Sequence, residues 1–346
     1  MFGIEWVELI QFFKQLGLAL SGAASLWGMF FVYQGKRKGQ SAASSILHEW
    51  MSRKLILPLF GGMVLAIGSW FVLQFGIAEA HEGIRILPTL AHTKEVTSLL
   101  APLVAVWLLF GGVSLFSHKF KLDMCGRNIG WLHLVNFIFV SVIMSIVAIS
   151  DVSTKEVLFF WFHGYHSIFT LGTVLILDYL FLSTKSSVIA QQHLFPFFPL
   201  ISKVIWVGLA LDLFSVFLIL PDALILEPRF FFSQTVVGIL IINGVLLSGV
   251  ITRRILGSLS EGGKALTQRW VTFADIAGTI SVTSWLSITF VDFFSNLTLT
   301  YVQLLGIYTG IVLILYAGHA LWEHADKKDP EFARYVHIDG SVKYLS

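Results

Sequence analysis

Two histidines three residues apart, His163 and His166, interrupt an apolar stretch, and an aspartate, Asp212, interrupts the next one. Residues three apart share a helix face. Two imidazoles on one face, facing a carboxylate from a neighbouring helix, make a donor set for a metal ion or a relay for protons. By helical rise His166 lies roughly 13 Å and Asp212 roughly 12 Å from the same end of their segments, so the two share a level. His81 and His92, in the preceding loop, are further candidate ligands. The plainer reading has the histidines bonded to backbone carbonyls and Asp212 to a serine such as Ser215.

A second set lies toward the opposite end: His133, Asp178, Lys203, Asp275 and His319. All fall within roughly 6–12 Å of that end by the same rise. Opposite charges at one depth are expected to pair, because a lone buried charge neutralises instead. Lys203 with Asp178, on adjacent segments, is the expected pair. Asp178, Lys203 and Asp275 together read as a proton or ion pathway, or more plainly as a structural ion pair with Lys203 snorkelling to the surface. His133 and His319 are an alternative of another kind, the two axial ligands of a haem b. His118 and His324 are their nearest substitutes. Asn136 and Asn243 read as helix-to-helix hydrogen-bonding residues, and Gly22, Gly28, Gly112, Gly238 and Gly244 as points of close helix approach. Asn296-Leu297-Thr298 matches a glycosylation acceptor. No nucleotide loop, zinc-protease helix or Ser/His/Asp arrangement stands out, so the residues favour binding or transport over enzymatic catalysis.

Composition dictates the elements that must position these groups. Of 346 residues 56% are hydrophobic and 13% charged, and the mean hydropathy is +0.79. Soluble domains carry about 25% charge. Apolar runs cover approximately 12–34, 54–78, 96–117, 129–150, 157–183, 198–220, 230–252, 270–294 and 299–323. Runs of roughly 20 residues span a bilayer as helices, whereas barrel strands alternate over about ten. The expected fold is therefore all-α, a polytopic bundle of about nine transmembrane helices embedded in lipid. A net charge of +2 offers no basic field for nucleic acid.

Lys and Arg orient the bundle. Seventeen of the 23 fall on one side, among them Lys36, Arg37, Lys38, Arg253, Arg254 and Lys327, against five on the other, Lys14, Arg85, Lys94, Lys155 and Arg229. Lys203 falls inside a span. This places the N-terminus outside and the C-terminus in the cytoplasm. Residues 1–150 then form a four-helix half, 151–324 a five-helix half and 325–346 a short cytoplasmic tail. Cys125 falls in a cytoplasmic loop, where a reduced thiol is expected. Met1 to Gln15 lacks a signal-peptide pattern and reads as a short interfacial helix anchored by Trp6, Phe12 and Phe13.

Spans one and five each run into a polar loop, Gly35-Lys36-Arg37-Lys38 and Ser183-Thr184-Lys185-Ser186. A basic residue (Lys54, Lys203) and glycine (Gly61-Gly62, Gly208) come after each. This reads as two parallel four-helix repeats plus a ninth helix. In the second unit, Phe162-His163-Gly164-Tyr165-His166 leads into Leu171-Gly172-Thr173 and then the glycine-bearing helix from Lys203. Residues 157–220 resemble the four-helix unit of bacterial copper-resistance-D-like membrane proteins, with a fainter echo in 12–78. The resemblance implies metal handling, with a copper ion as the ligand, in a bacterial inner membrane. Span one departs from it, having no histidine at the matching place.

Three functions are thus expected in competition. The first handles or transports a metal ion or protons through His163, His166 and Asp212. The second is a haem b or quinone-linked electron-transfer subunit. The third is a non-catalytic subunit of a membrane complex, whose partners are other membrane subunits.

Overall fold

The computed structural model describes residues 6–36, 42–73, 94–119, 123–149, 161–162, 164–184, 194–219, 227–254, 257, 268–294 and 297–326. Among them there is no strand. The helices are α1 (Trp6–Gly35), α2 (Ala42–Lys54), α3 (Ile56–Phe71), α4 (Lys94–Lys119), α5 (Asp123–Ile149), α6 (Thr173–Thr184), α7 (Phe198–Ile219), α8 (Pro228–Val245), α9 (Gln268–Phe293) and α10 (Tyr301–Asp326). A π-helical segment, Ile168–Gly172, leads into α6, and another, Leu246–Ile251, continues α8. Seven helical stretches among the described residues are long and apolar enough to cross a membrane, α2 and α3 counting as one. This is the build of a multi-pass membrane protein: the backbone groups of each span are satisfied within its own helix, as lipid requires.

The sequence explains which helix sits at the centre. Lipid tails are as apolar as leucine, so helices in a membrane associate where small residues let backbones approach. α1 supplies them in number: Gly17, Ala19, Ser21, Gly22, Ala23, Ala24, Ser25 and Gly28 are all buried. It packs on α2, α3, α5, the π segment, α6 and α9. At the α1–α3 crossing a Cβ on Gly17 would stand 2.5 Å from the Gly62 carbonyl oxygen. At the crossing with the fifth span, a Cβ on Gly172 would strike the Ala19 carbonyl. α10 is the opposite case. Val302, Leu313 and Ile314 are more than 60% exposed, a face shaped for lipid.

Two apolar cores result. One joins α1 to α5 with Ile168, Ile176, Leu180 and the start of α7. The other joins Leu171, Val174 and Leu209 to α8, α9 and α10. The fifth span contributes to both.

Several expectations are corrected. From Trp6 to Gly35 the chain is one continuous 30-residue helix, so residues 6–15 belong to the first span and not to a separate interfacial helix. Helical rise makes it about 45 Å long, against a hydrocarbon core of about 30 Å. Cys125 lies within α5, whose helix starts earlier than the apolar run. The second span begins as α2 and changes helix at Leu55, with Lys54 at its junction placed over the Trp50 ring, 5.3 Å from its centroid. Of the glycines expected at helix contacts, Gly22 and Gly28 are at crossings, whereas a Cβ on Gly112 or Gly238 would meet nothing within 4 Å.

Candidate cation site

His166 projects from the turn ahead of the π segment and is buried, with 3% exposure. Three features of the sequence hold it. Thr170 donates its hydroxyl to the His166 carbonyl at 2.7 Å, and Thr173 donates to Ile168 O, five residues back, at 3.1 Å. Such back-bonding bends helices and favours the wider turn seen here. Gly208 of α7 lets its backbone approach that turn: a Cβ there would lie 2.5 Å from Thr170 Cγ2. In consequence the Gly208 carbonyl oxygen comes within 3.0 Å of His166 Nδ1.

That hydrogen bond decides the chemistry. A carbonyl only accepts, so Nδ1 carries the hydrogen and donates it. In the neutral ring Nε2 is then a lone-pair nitrogen. It stands 3.6 Å from Oδ1 of Asp212, one turn beyond Gly208 on α7. Both side chains are under 10% exposed. Two acceptors facing each other repel unless a proton or a cation lies on or between them. The separation is too long for a direct hydrogen bond. It is close to the span of two metal ligands at about 2.1 Å and a tetrahedral angle, roughly 3.4 Å. A backbone carbonyl accepting from the other imidazole nitrogen is a common support for a ligating histidine. The indole of Trp285 from α9 covers the ring, with centroids 5.6 Å apart. Ser167, the next residue, donates to Gly164 O at 2.7 Å and accepts from Gln15 Nε2 of α1 at 2.8 Å.

His166 and Asp212 are therefore brought together as expected. His163, His81 and His92 lie outside the described residues, and among those described no third His, Cys, Asp or Glu completes a metal cluster.

The other candidate level does not assemble as expected. Asp178 on α6 is half-buried and Lys203 on α7 is exposed, and no ion pair joins them. The reason is rotation about the helix. Gly208 and Asp212, four apart, share the inward face of α7, and Lys203 is about 140° round from Gly208 at 3.6 residues per turn. Asp275 is half-buried on α9, where Thr279 donates to its backbone carbonyl at 2.9 Å.

His133 is completely buried on α5. Its Nε2 lies 3.1 Å from the Ser52 carbonyl oxygen, so it donates there. The face of the ring lies flat on Gly28, where a Cβ would collide with Cε1, Nδ1 and Nε2. Nε2 is thus committed to α2 and not open to a haem iron in this packing, whereas Nδ1 is buried with no hydrogen-bond partner among the described residues. α5 packs on α1 and α4, and α10, which carries His319, packs on α8 and α9. The side chains of His319, His118 and His324 lie outside the described residues.

The neighbouring Asn136 is a helix-binding residue, as expected. Its Oδ1 accepts from Trp107 Nε1 at 2.8 Å, and its Nδ2 donates to Ser25 Oγ at 2.7 Å and Ser21 Oγ at 2.9 Å. Asn243 likewise donates to the Ala277 carbonyl at 2.8 Å.

Sequence reasoning misses three contributors to the His166 neighbourhood. Gln15 reads as part of an interfacial helix, Ser167 carries no signal of its own, and Trp285 is one tryptophan among 11. The nearest signal is the spacing Glu8, Gln11, Gln15, one polar helix face. Comparison with known proteins gives no match: no protein-family model, no curated protein and no solved structure matches the chain.

Proposed function

We propose that this chain is a membrane transporter or carrier of a cation, a metal ion or a proton, held between His166 and Asp212. One observation carries the reading. With Nδ1 committed to Gly208, two buried acceptors, Nε2 and a carboxylate oxygen, face each other at 3.6 Å. Ionisable groups inside a bilayer are costly, and they mark ion or proton routes. A copper ion is the metal that the resemblance of residues 157–220 suggests, with His163 as the third ligand. The excess of Lys and Arg on one side supports an outward N-terminus and a cytoplasmic C-terminus, which puts His166 and Asp212 in the outer half of the bundle. The parallel crossing of spans one and five, each followed by a glycine-bearing second span, supports a duplicated four-helix unit.

The test is uptake by proteoliposomes holding the purified protein, with copper ions in one arm and a pH-sensitive dye in the other. Metal analysis of the same preparation accompanies it. The wild type moves one of the two, and His166→Ala and Asp212→Asn reduce it to the level of empty vesicles. Movement that is unchanged in both variants would overturn the reading. Protein that moves neither cation, retains no metal and co-purifies with stable partners would point to a structural subunit instead.

A further inference from the structure

We propose that the first three turns of α1 form the mouth through which a cation reaches His166 and Asp212 from outside, with Glu8 as its charged residue, and that the structure holds this mouth shut. The proposal rests on the cation site at His166 and Asp212 and adds a way into it.

Glu8, Gln11 and Gln15 recur at the three- and four-residue spacing of a single helix face. Glu8 is 5% and Gln11 8% exposed, so the face is turned into the protein. It is seated on the turn that bears His166, because Gln15 Nε2 donates to Ser167 Oγ at 2.8 Å. α1 and the fifth span run parallel: Gln15 meets Ser167, and twelve residues later Trp27 Nε1 donates to Thr173 Oγ1 at 3.1 Å. Moving from Gln15 back to Glu8 therefore moves outward from His166, by roughly 10 Å at 1.5 Å per residue. α9 supplies the opposite wall. Phe12 meets Phe290 edge-on at 5.6 Å, and Trp285, five residues earlier on α9, covers the His166 ring.

The polar stripe has a definite end. The next positions on the same face of α1 are Leu18, Ala19 and Gly22, all buried and apolar or small. Polar lining thus extends from Glu8 down to the depth of His166 and stops there. Inside membrane proteins such faces line water-filled or ion-conducting routes. A carboxylate at the top would concentrate cations there.

Cysteine accessibility tests this directly, since the chain has a single native cysteine, Cys125. In a Cys125→Ser background, Glu8→Cys, Gln11→Cys and Leu18→Cys are exposed to a membrane-impermeant thiol reagent added to the outside of intact cells. Gln15→Cys, on the same face, replaces either outer variant if it does not fold. Labelling of the outer positions at least about tenfold faster than Leu18→Cys is expected, because sealed core positions open rarely. Equal labelling at all positions, or none at the outer ones, overturns the proposal. His166→Ala uptake is measured alongside. If that variant loses uptake while the outer cysteines stay unlabelled, the mouth lies elsewhere and the cation site stands. If it keeps uptake, the site itself falls, whatever the labelling shows.

Discussion

Two buried polar clusters flank α1, and they are built on opposite principles. Around Asn136 every partner is neutral: one indole and two serine hydroxyls satisfy one amide, and its donors and acceptor are all engaged. Around His166 one ring nitrogen is engaged and the other faces a carboxylate. The first cluster gains by being closed, since each hydrogen bond between helices adds about 0.6 kcal/mol, at most about 1.7. In the second, a proton or cation between the two acceptors relieves their repulsion. The difference separates adhesion from chemistry more clearly than burial, which the two share.

The comparison can be broken at either cluster. The largest effect on activity is expected from His166→Ala, which abolishes cation uptake while the thermal melt in detergent stays close to that of the wild type. A collapse of the melt in step with uptake would make His166 a packing residue. The largest effect on stability is expected from Asn136→Ala. It strands the Trp107 indole and should cost about 2–4 kcal/mol in reversible unfolding, with uptake per folded molecule unchanged. Gly28→Ala drives a methyl into the His133 ring and should cost about 1–3 kcal/mol by overpacking. An unaltered melt there would show that the ring can move aside. Trp27→Phe keeps the aromatic packing and removes the bond to Thr173, and should cost about 0.6 kcal/mol.

Helix positions are legible in the sequence because an apolar run of bilayer length has few alternatives. Facing is not. Depth puts Asp178 and Lys203 at one level, and the side chains still miss each other, because position along a helix says nothing of rotation about it. Asp212 is legible for the complementary reason: it lies four residues after Gly208, and the glycine that admits a neighbouring backbone also marks the inward face. The first turns of α1 mislead because Glu8, Gln11, Lys14 and Gln15 have the composition of a surface helix. Glu8 and Gln11 are nevertheless buried, and the partner of Gln15 lies about 150 residues away, which no local window contains.

That last dependence bears on how the chain is made. Gln15 and Trp27 find their partners on Ser167 and Thr173, and the Ala19 backbone finds its neighbour on Gly172. During synthesis α1 leaves the ribosome before the fifth span, and it must wait in the membrane with that seam unfilled until that span arrives. The helices α2 to α5 are made meanwhile. The N-terminal half is on this account a nascent intermediate with one open side, and a chain stopped before the fifth span would present that side to chaperones and to quality-control proteases.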